Sequence, residues 1–231
     1  MMDIVLLPGN GYREIKMLPF IKRLRREGFN PIYIELLENL NDNLDYDILQ
    51  PKEYSKYIKS RLNKDKQYIF YGISMGCLHA QNFAHFYPQM VKCLVLIEPT
   101  ISSGYFPALY DFEAGRGNGR WLKMLYDVKE DISHLPSNEK VIDIAVSKDK
   151  PLEFDRDIVI GIVYTNLDNR GVPYNQQQWR GKMKYLQYLE EKGYCVYFVM
   201  KKGHHCLDLF KENFDFLVSV IESTLHHSMS D

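Results

Sequence analysis

The sequence predicts an α/β domain with a mostly parallel sheet and helices on both of its faces. Three observations carry that prediction. Short apolar runs alternate with segments of helical periodicity, β then α, along most of the chain. The runs are almost continuously hydrophobic, as strands covered on both faces must be. The length, 231 residues, suits one such domain, which can bury a core without disulfide or metal staples.

Residues 3–7 (Asp-Ile-Val-Leu-Leu) form the first strand. The helix after it carries Phe20, Ile21 and Leu24 on one face, with Pro19 expected in its first turn and Gly28 as its C-terminal cap. Residues 31–36 form the second strand. A helix follows Pro51, with Tyr54, Ile58 and Leu62 four apart. Residues 67–72 are the third strand, 75–87 a helix, 91–97 the fourth strand and 157–164 the fifth. A helix around Met183, Leu186 and Leu189 stops at Gly193. Residues 194–200 form the sixth strand, and the last helix spaces Leu207, Phe210, Phe214, Leu217 and Ile221 by three and four. The rhythm fails between Ile101 and Asp155. That stretch holds several aromatic residues and the glycine-rich run from Gly115 to Arg120. An insertion of this size in a compact domain reads as a cap or lid, residues 101–155, within a single domain of residues 1–231.

Composition narrows the function. Lysine plus arginine number 29 and aspartate plus glutamate 30, a net charge of −1, so the basic excess of a nucleic-acid binder is missing. No run approaches the ~20 apolar residues of a membrane span. The N-terminal residues lack the basic region of a signal peptide. Cys77, Cys93, Cys195 and Cys206 form no C-x-x-C pair and read as buried thiols of a reducing, cytoplasmic setting. His79 and His85, six residues apart, do not share a helical face well, so no metal site is expected.

The third strand runs into Gly72-Ile73-Ser74-Met75-Gly76 and then into a helix. A G-x-S-x-G at a strand-to-helix turn has a specific mechanical meaning. The tight corner forces its central residue into a strained conformation, and the flanking glycines let backbone pass without Cβ clashes. Ser74 then stands at a helix N-terminus, where the dipole favours developing negative charge. An ordinary turn with a capping serine would share the five residues but not the surroundings that follow.

A serine hydroxyl needs a base. His204 and His205 follow the sixth strand, at the same edge of the sheet as Ser74, and spacing alone does not separate them. The base needs an acid to orient it. Asp168 follows the fifth strand in Thr165-Asn166-Leu167-Asp168-Asn169-Arg170, and Glu98, at the end of the fourth, is the second candidate. The order Ser74, Asp168, His204 is the one this fold expects. The oxyanion needs two donors. The backbone N–H of Met75 is one; that of Asn10, in Pro8-Gly9-Asn10-Gly11, is the other.

With these parts in place, the sequence resembles the α/β-hydrolase superfamily over the whole chain except the stretch between Ile101 and Asp155. Leu7-Pro8-Gly9-Asn10-Gly11 resembles the family's oxyanion loop, with Pro8 where a histidine is usual. Residues 72–97 resemble the elbow, helix and following strand, including the Tyr87-Pro88 that closes the helix. Residues 162–168, followed by Val172-Pro173, resemble the strand and turn that deliver the acid, with Thr165 where glycine is common. Gly203-His204 resembles the family's Gly-His and favours His204 over His205. The resemblance implies the α/β-hydrolase fold on a six-stranded sheet. It also implies a serine hydrolase that cleaves a carboxylic ester or thioester of a small molecule through an acyl-enzyme, without a cofactor. Tyr105, Phe106 and Trp121 are expected to line an acyl pocket.

Two rival readings stand beside it. Gly9-Asn10-Gly11 after a strand, with Glu35 ending the next, partly matches a dinucleotide fingerprint, but Glu14 replaces the third glycine and would oppose a pyrophosphate. The other is a non-enzymatic ligand-binding module on a hydrolase fold, since fold does not fix function. Lyase and perhydrolase chemistry uses the same constellation.

Overall fold

Strands buried on both faces must divide their side chains between two cores, and here they do so residue by residue. The computed structural model describes residues 1–9, 12–37, 51–99, 153–168, 171–174 and 176–229. Six strands form one parallel sheet: β1 (Met2–Leu7), β2 (Phe29–Tyr33), β3 (Tyr68–Ile73), β4 (Val91–Ile97), β5 (Val159–Thr165) and β6 (Val196–Lys201). Their order is β2-β1-β3-β4-β5-β6. Between them run α1 (Glu14–Arg26), α2 (Pro51–Lys59), α3 (Met75–Phe86) and α4 (Gln176–Glu191), and α5 (Phe214–His227) follows β6.

On one face Val5, Leu7, Phe70, Leu94, Leu96, Ile160 and Ile162 pack against Tyr54 and Ile58 of α2, Phe83 of α3 and Tyr185 and Leu189 of α4. On the other, Ile4, Leu6, Ile69, Tyr71, Cys93, Val95 and Val163 pack against Phe20 and Leu24 of α1 and Phe214, Leu217 and Ile221 of α5. Neighbours along a strand point to opposite faces, so both parities must be apolar. Gly161 lets α5 come close to β5, because a methyl there would stand 2.1 Å from Thr224 Oγ1.

The register sets the functional edge. Ile73 lies opposite Ile97, Ile97 opposite Val163, and Val163 opposite Val199. The C-terminal ends of four adjacent strands are therefore nearly level. Residues just beyond them, Ser74 and Glu98 among them, emerge on one side.

Some expectations shift. Helix α1 begins at Glu14, so Pro19 is its sixth residue; the missing N–H leaves unpaired only the carbonyl of Ile15, an exposed residue near the helix start. Gly28, at φ +86°, follows the C-cap Glu27 of α1. Met183 faces outward; Tyr185 and Leu189 form the buried stripe of α4. Leu207 opens the first of two short 3₁₀ turns, Phe210 lies between them, and α5 starts only at Phe214. Cys195 is exposed rather than buried, because it precedes β6, an edge strand with Phe198 and Met200 open to solvent. The expected cap, apart from 153–155, lies outside the described residues. At its end Phe154 is buried, and its N–H donates to Tyr194 Oη at 3.0 Å.

One buried group breaks the apolar rule. Asp208, in the first 3₁₀ turn after β6, is fully buried, and neither of its oxygens has a hydrogen-bond partner among the described residues. Burial raises its carboxyl to about 7, against an ordinary value near 3.8, and its own backbone N–H, too poorly placed for a hydrogen bond, offsets only part of the rise. The folded state thus holds a proton that the unfolded chain releases near pH 4. Stability is fullest below that pH and falls as pH rises to about 7. Asp208→Asn removes this loss. Urea unfolding at pH 4 and pH 8 is expected to show the variant's stability relative to wild type growing by about 2–4 kcal/mol between the two. An equal difference at both pH values contradicts the assignment.

Candidate functional site

The corner between β3 and α3 stores strain at one residue. Ser74 adopts φ +50° and ψ −112°, a region that costs a side chain-bearing residue about 1–3 kcal/mol. Contacts on each side force it there. A methyl on Gly72 would lie 2.7 Å from the Gly76 carbonyl oxygen, and one on Gly76 would lie 2.0 Å from the Leu7 carbonyl oxygen. Both glycines are therefore required by close backbone approach, of α3 to its own strand and to the end of β1. Ser74 N–H donates to the Ile97 carbonyl at 2.9 Å, tying the corner to the end of β4. Met75 is the first residue of α3, so its N–H has no acceptor within the helix. Gly9 lies alongside: a methyl on it would be 3.5 Å from Ser74 Cβ. Asn10, expected to donate to the oxyanion, lies outside the described residues.

One residue beyond Ile97, the chain bends again. Glu98, at φ +53°, and Ser74 are the non-glycine residues of positive φ among those described. Glu98 is 1% exposed and its carboxylate is heavily engaged. Oε1 accepts the Thr165 N–H at the end of β5. Oε2 accepts from the Lys182 ammonium of α4 and, at 2.8 Å, from Tyr174 Oη, and lies 3.4 Å from His205 Nδ1. Burial pushes the Glu98 carboxyl up, but Lys182 and His205 together outweigh it and hold the group down to about 2. The same burial pushes the Lys182 ammonium below the ordinary lysine value, with Glu98 opposing.

This arrangement fixes a tautomer. Tyr174 Oη has a single hydrogen, donated to Glu98, so toward His205 Nδ1, 3.1 Å away, its oxygen acts as acceptor. Nδ1 therefore carries a hydrogen, directed at Tyr174 and Glu98. In the neutral ring the lone pair sits on Nε2, the nitrogen a general base uses.

The residues favoured from sequence take other partners. His204 Nδ1 accepts the Cys206 N–H at 3.3 Å, and its ring meets Phe210 edge-on. The Asp168 carboxylate accepts the Val172 N–H at 2.9 Å and closes its own turn, supported by the backbone bond from Asp168 N–H to the Val172 carbonyl. These bonds of His204 and Asp168 are local ones. The imidazole–carboxylate contact observed among the described residues joins His205 and Glu98. Gly203, at φ +153° and held by Asn166 Oδ1, turns the loop so that His205 is buried while His204 stays half-exposed. Tyr105, Phe106 and Trp121 lie outside the described residues. Tyr174 and Lys182 carried no motif, yet one signal was present: Lys182 falls on the apolar stripe of Trp179, Tyr185, Leu186 and Leu189, where a charge requires a buried partner.

A strained serine at a helix N-terminus thus bonds through its N–H to Ile97, the residue before Glu98 of the buried carboxylate–imidazole pair. Among the described residues no group of three His, Cys, Asp or Glu side chains is placed to hold a metal ion, and no helix is long and apolar enough to cross a membrane.

Comparison with known proteins bears on the same region. The family profile described as the alpha/beta hydrolase fold matches residues 35–153. No curated protein matches the chain in sequence. Solved structures resemble it over nearly all its length. A carboxylesterase structure from the thaumarchaeon Nitrososphaera gargenis superimposes with a TM-score of 0.62 at 13% identity, covering 98% of this chain and 92% of that one. A Bacillus subtilis carboxylesterase gives 0.59 at 17%, covering 97% and 83%. A Paleococcus ferrophilus monoacylglycerol lipase gives 0.56 at 15%, covering 97% and 94%. At these identities the likeness is one of fold.

Glu98→Ala would leave the Lys182 ammonium buried without its counter-charge. Removing one partner of a buried pair costs about 3–5 kcal/mol, and equilibrium urea unfolding at pH 7 is expected to show a loss of that order. A loss below about 1 kcal/mol, typical of an exposed pair, contradicts the buried-pair description.

Proposed function

The chain belongs to the alpha/beta hydrolase fold family, and from that premise we propose that it is a serine hydrolase of small carboxylic esters or thioesters, with Ser74 as nucleophile, His205 as base and Glu98 as the acid that orients the base. The observation that carries this reading is the buried Glu98–His205 contact at the same sheet edge as the strained Ser74. The solved esterases and lipase of the same fold support the substrate class. The four unpaired thiols suit a reducing, cytoplasmic setting.

In the first half-reaction Ser74 Oγ attacks the acyl carbonyl and its proton passes to His205 Nε2. The new imidazolium lies against Glu98, with Tyr174 bridging the two. The carbonyl oxygen, now negative, is received by the Met75 N–H and the α3 dipole, with Asn10 as the second donor. Collapse of the tetrahedral intermediate breaks the bond to the alkoxide or thiolate, which leaves with the proton from His205. In the second half a water gives a proton to Nε2 and attacks the acyl-Ser74. Collapse returns that proton to Ser74 Oγ and releases the acid.

Labelling by a fluorophosphonate probe and turnover of p-nitrophenyl esters of increasing chain length test the assignment. Ser74→Ala is expected to abolish both. His205→Ala and Glu98→Gln are expected to lower kcat/KM by about 10²–10⁴-fold. His204→Ala and Asp168→Asn should stay within about tenfold of wild type if those residues are peripheral. The reverse ranking would move the base to His204. A folded wild type that the probe does not label would point to a ligand-binding module.

A further inference from the structure

One partner of Glu98 Oε2, the Lys182 ammonium, is not needed for the proton transfers described above. The Lys182 side chain is 1% exposed, and its ammonium bonds Glu98 Oε2. Its nitrogen also lies 4.0 Å from the Tyr174 ring centroid, 4.4 Å from that of Tyr164 and 5.8 Å from that of Trp179. The cation is thus held on one oxygen and among three ring faces, which replace its water. An unopposed carboxylate beside an imidazole strongly favours the imidazolium. A carboxylate already matched by an ammonium presents a much weaker field.

On the reading that His205 is the base and Glu98 its acid, we infer that Lys182 is a positioning residue that sets the pH range of the reaction, by offsetting the Glu98 charge so that the Glu98–His205 pair stays free to accept the Ser74 proton under mildly acidic conditions. The groups that face the pair come from every side. Tyr164 belongs to β5, Cys77 to α3, Lys182 to α4, Tyr174 to the segment before α4, and Cys206 to the loop after β6. Burial pushes the Cys77 thiol well up and the Cys206 thiol to about 11, so both are neutral where the pair titrates. The phenols are neutral there too. Lys182 is therefore the formal charge opposing Glu98 from among these neighbours. Its removal makes the pair take up a proton at higher pH, whichever of the two groups holds it.

The test is the pH dependence of kcat/KM for p-nitrophenyl acetate, with an NMR titration of the His205 ring that needs no turnover. In Lys182→Met the acid limb is expected to move up by about one pH unit, which is about a tenfold loss on the acid flank, with the alkaline plateau kept. Lys182→Arg, which retains the charge, should return the limb toward wild type. A purely structural lysine would lower the rate evenly at all pH values and leave the limb in place, and that result overturns the inference. If Lys182→Met does not fold, the double variant Glu98→Gln/Lys182→Met leaves no orphaned charge. Its His205 titration should coincide with wild type, since both surround the ring with no net charge. A fall of a full pH unit or more would mean that Glu98 acted unopposed in wild type, and the inference fails. His205→Ala, assayed alongside, separates the two ideas: wild-type turnover there removes the base assignment, while the ring titrations still report on Lys182.

Discussion

A carboxylate held ionised away from water is the constraint around which this site is built. Glu98 has lost its hydration, and an ion in that position is tolerated only when protein groups replace the water it gave up. The replacements come from distant parts of the chain: a backbone N–H at the end of β5, a tyrosine hydroxyl before α4, an ammonium on α4 and an imidazole after β6. The ends of β4, β5 and β6 and the start of α4 are therefore tied together at one point. Loosening any one of these ties leaves the charge partly unmet. The loop that carries the histidine is placed by the same requirement that keeps the carboxylate charged.

Strain is concentrated beside this ion. Ser74 and Glu98 both occupy the left-handed region, at the ends of adjacent strands. They are coupled through Ile97, whose carbonyl accepts the Ser74 N–H and whose next residue is Glu98. Neither conformation is favourable alone. The surrounding packing over-determines them: Gly76 against the Leu7 carbonyl, Gly72 against Cys77, and the Glu98 N–H on the Val163 carbonyl. Because the strained residues sit one position beyond the ends of adjacent strands rather than in long loops, the serine and the carboxylate hold a fixed relation to each other.

Electrostatics then divides the labour. The dipole of α3 and the Met75 N–H favour negative charge at the serine corner. The Glu98 carboxylate lies against both the His205 imidazole and the Lys182 ammonium, and in the proposed role the second limits how strongly it favours positive charge on the first. On the proposed reading, the strength of the acid is adjustable without moving it, through a cation that shares its Oε2 oxygen with the imidazole. The aromatic rings around Lys182 keep that cation away from solvent, where screening would weaken it.

Much of this was legible in the residues themselves. Strands buried on both faces are nearly continuous apolar runs, so 91–97, broken only by the half-buried Lys92, could be delimited from sequence alone. A serine flanked by glycines at a strand-to-helix boundary has few other uses, so Ser74 stood out. The choice among acids and bases was not legible. His204 and His205 are neighbours of identical chemistry, and Asp168 and Glu98 both follow strands at the same sheet edge. Which imidazole turns inward depends on the conformation at Gly203 and its bond to Asn166, 37 residues away in sequence. Which carboxylate is buried depends on whether a cation from α4 is there to meet it. Local sequence determined the strands, their faces and the corner that carries the serine, because periodicity and steric limits act between near neighbours. Only the tertiary structure decided the partners of each charge, because burial and ion pairing are set by residues that the fold alone brings together.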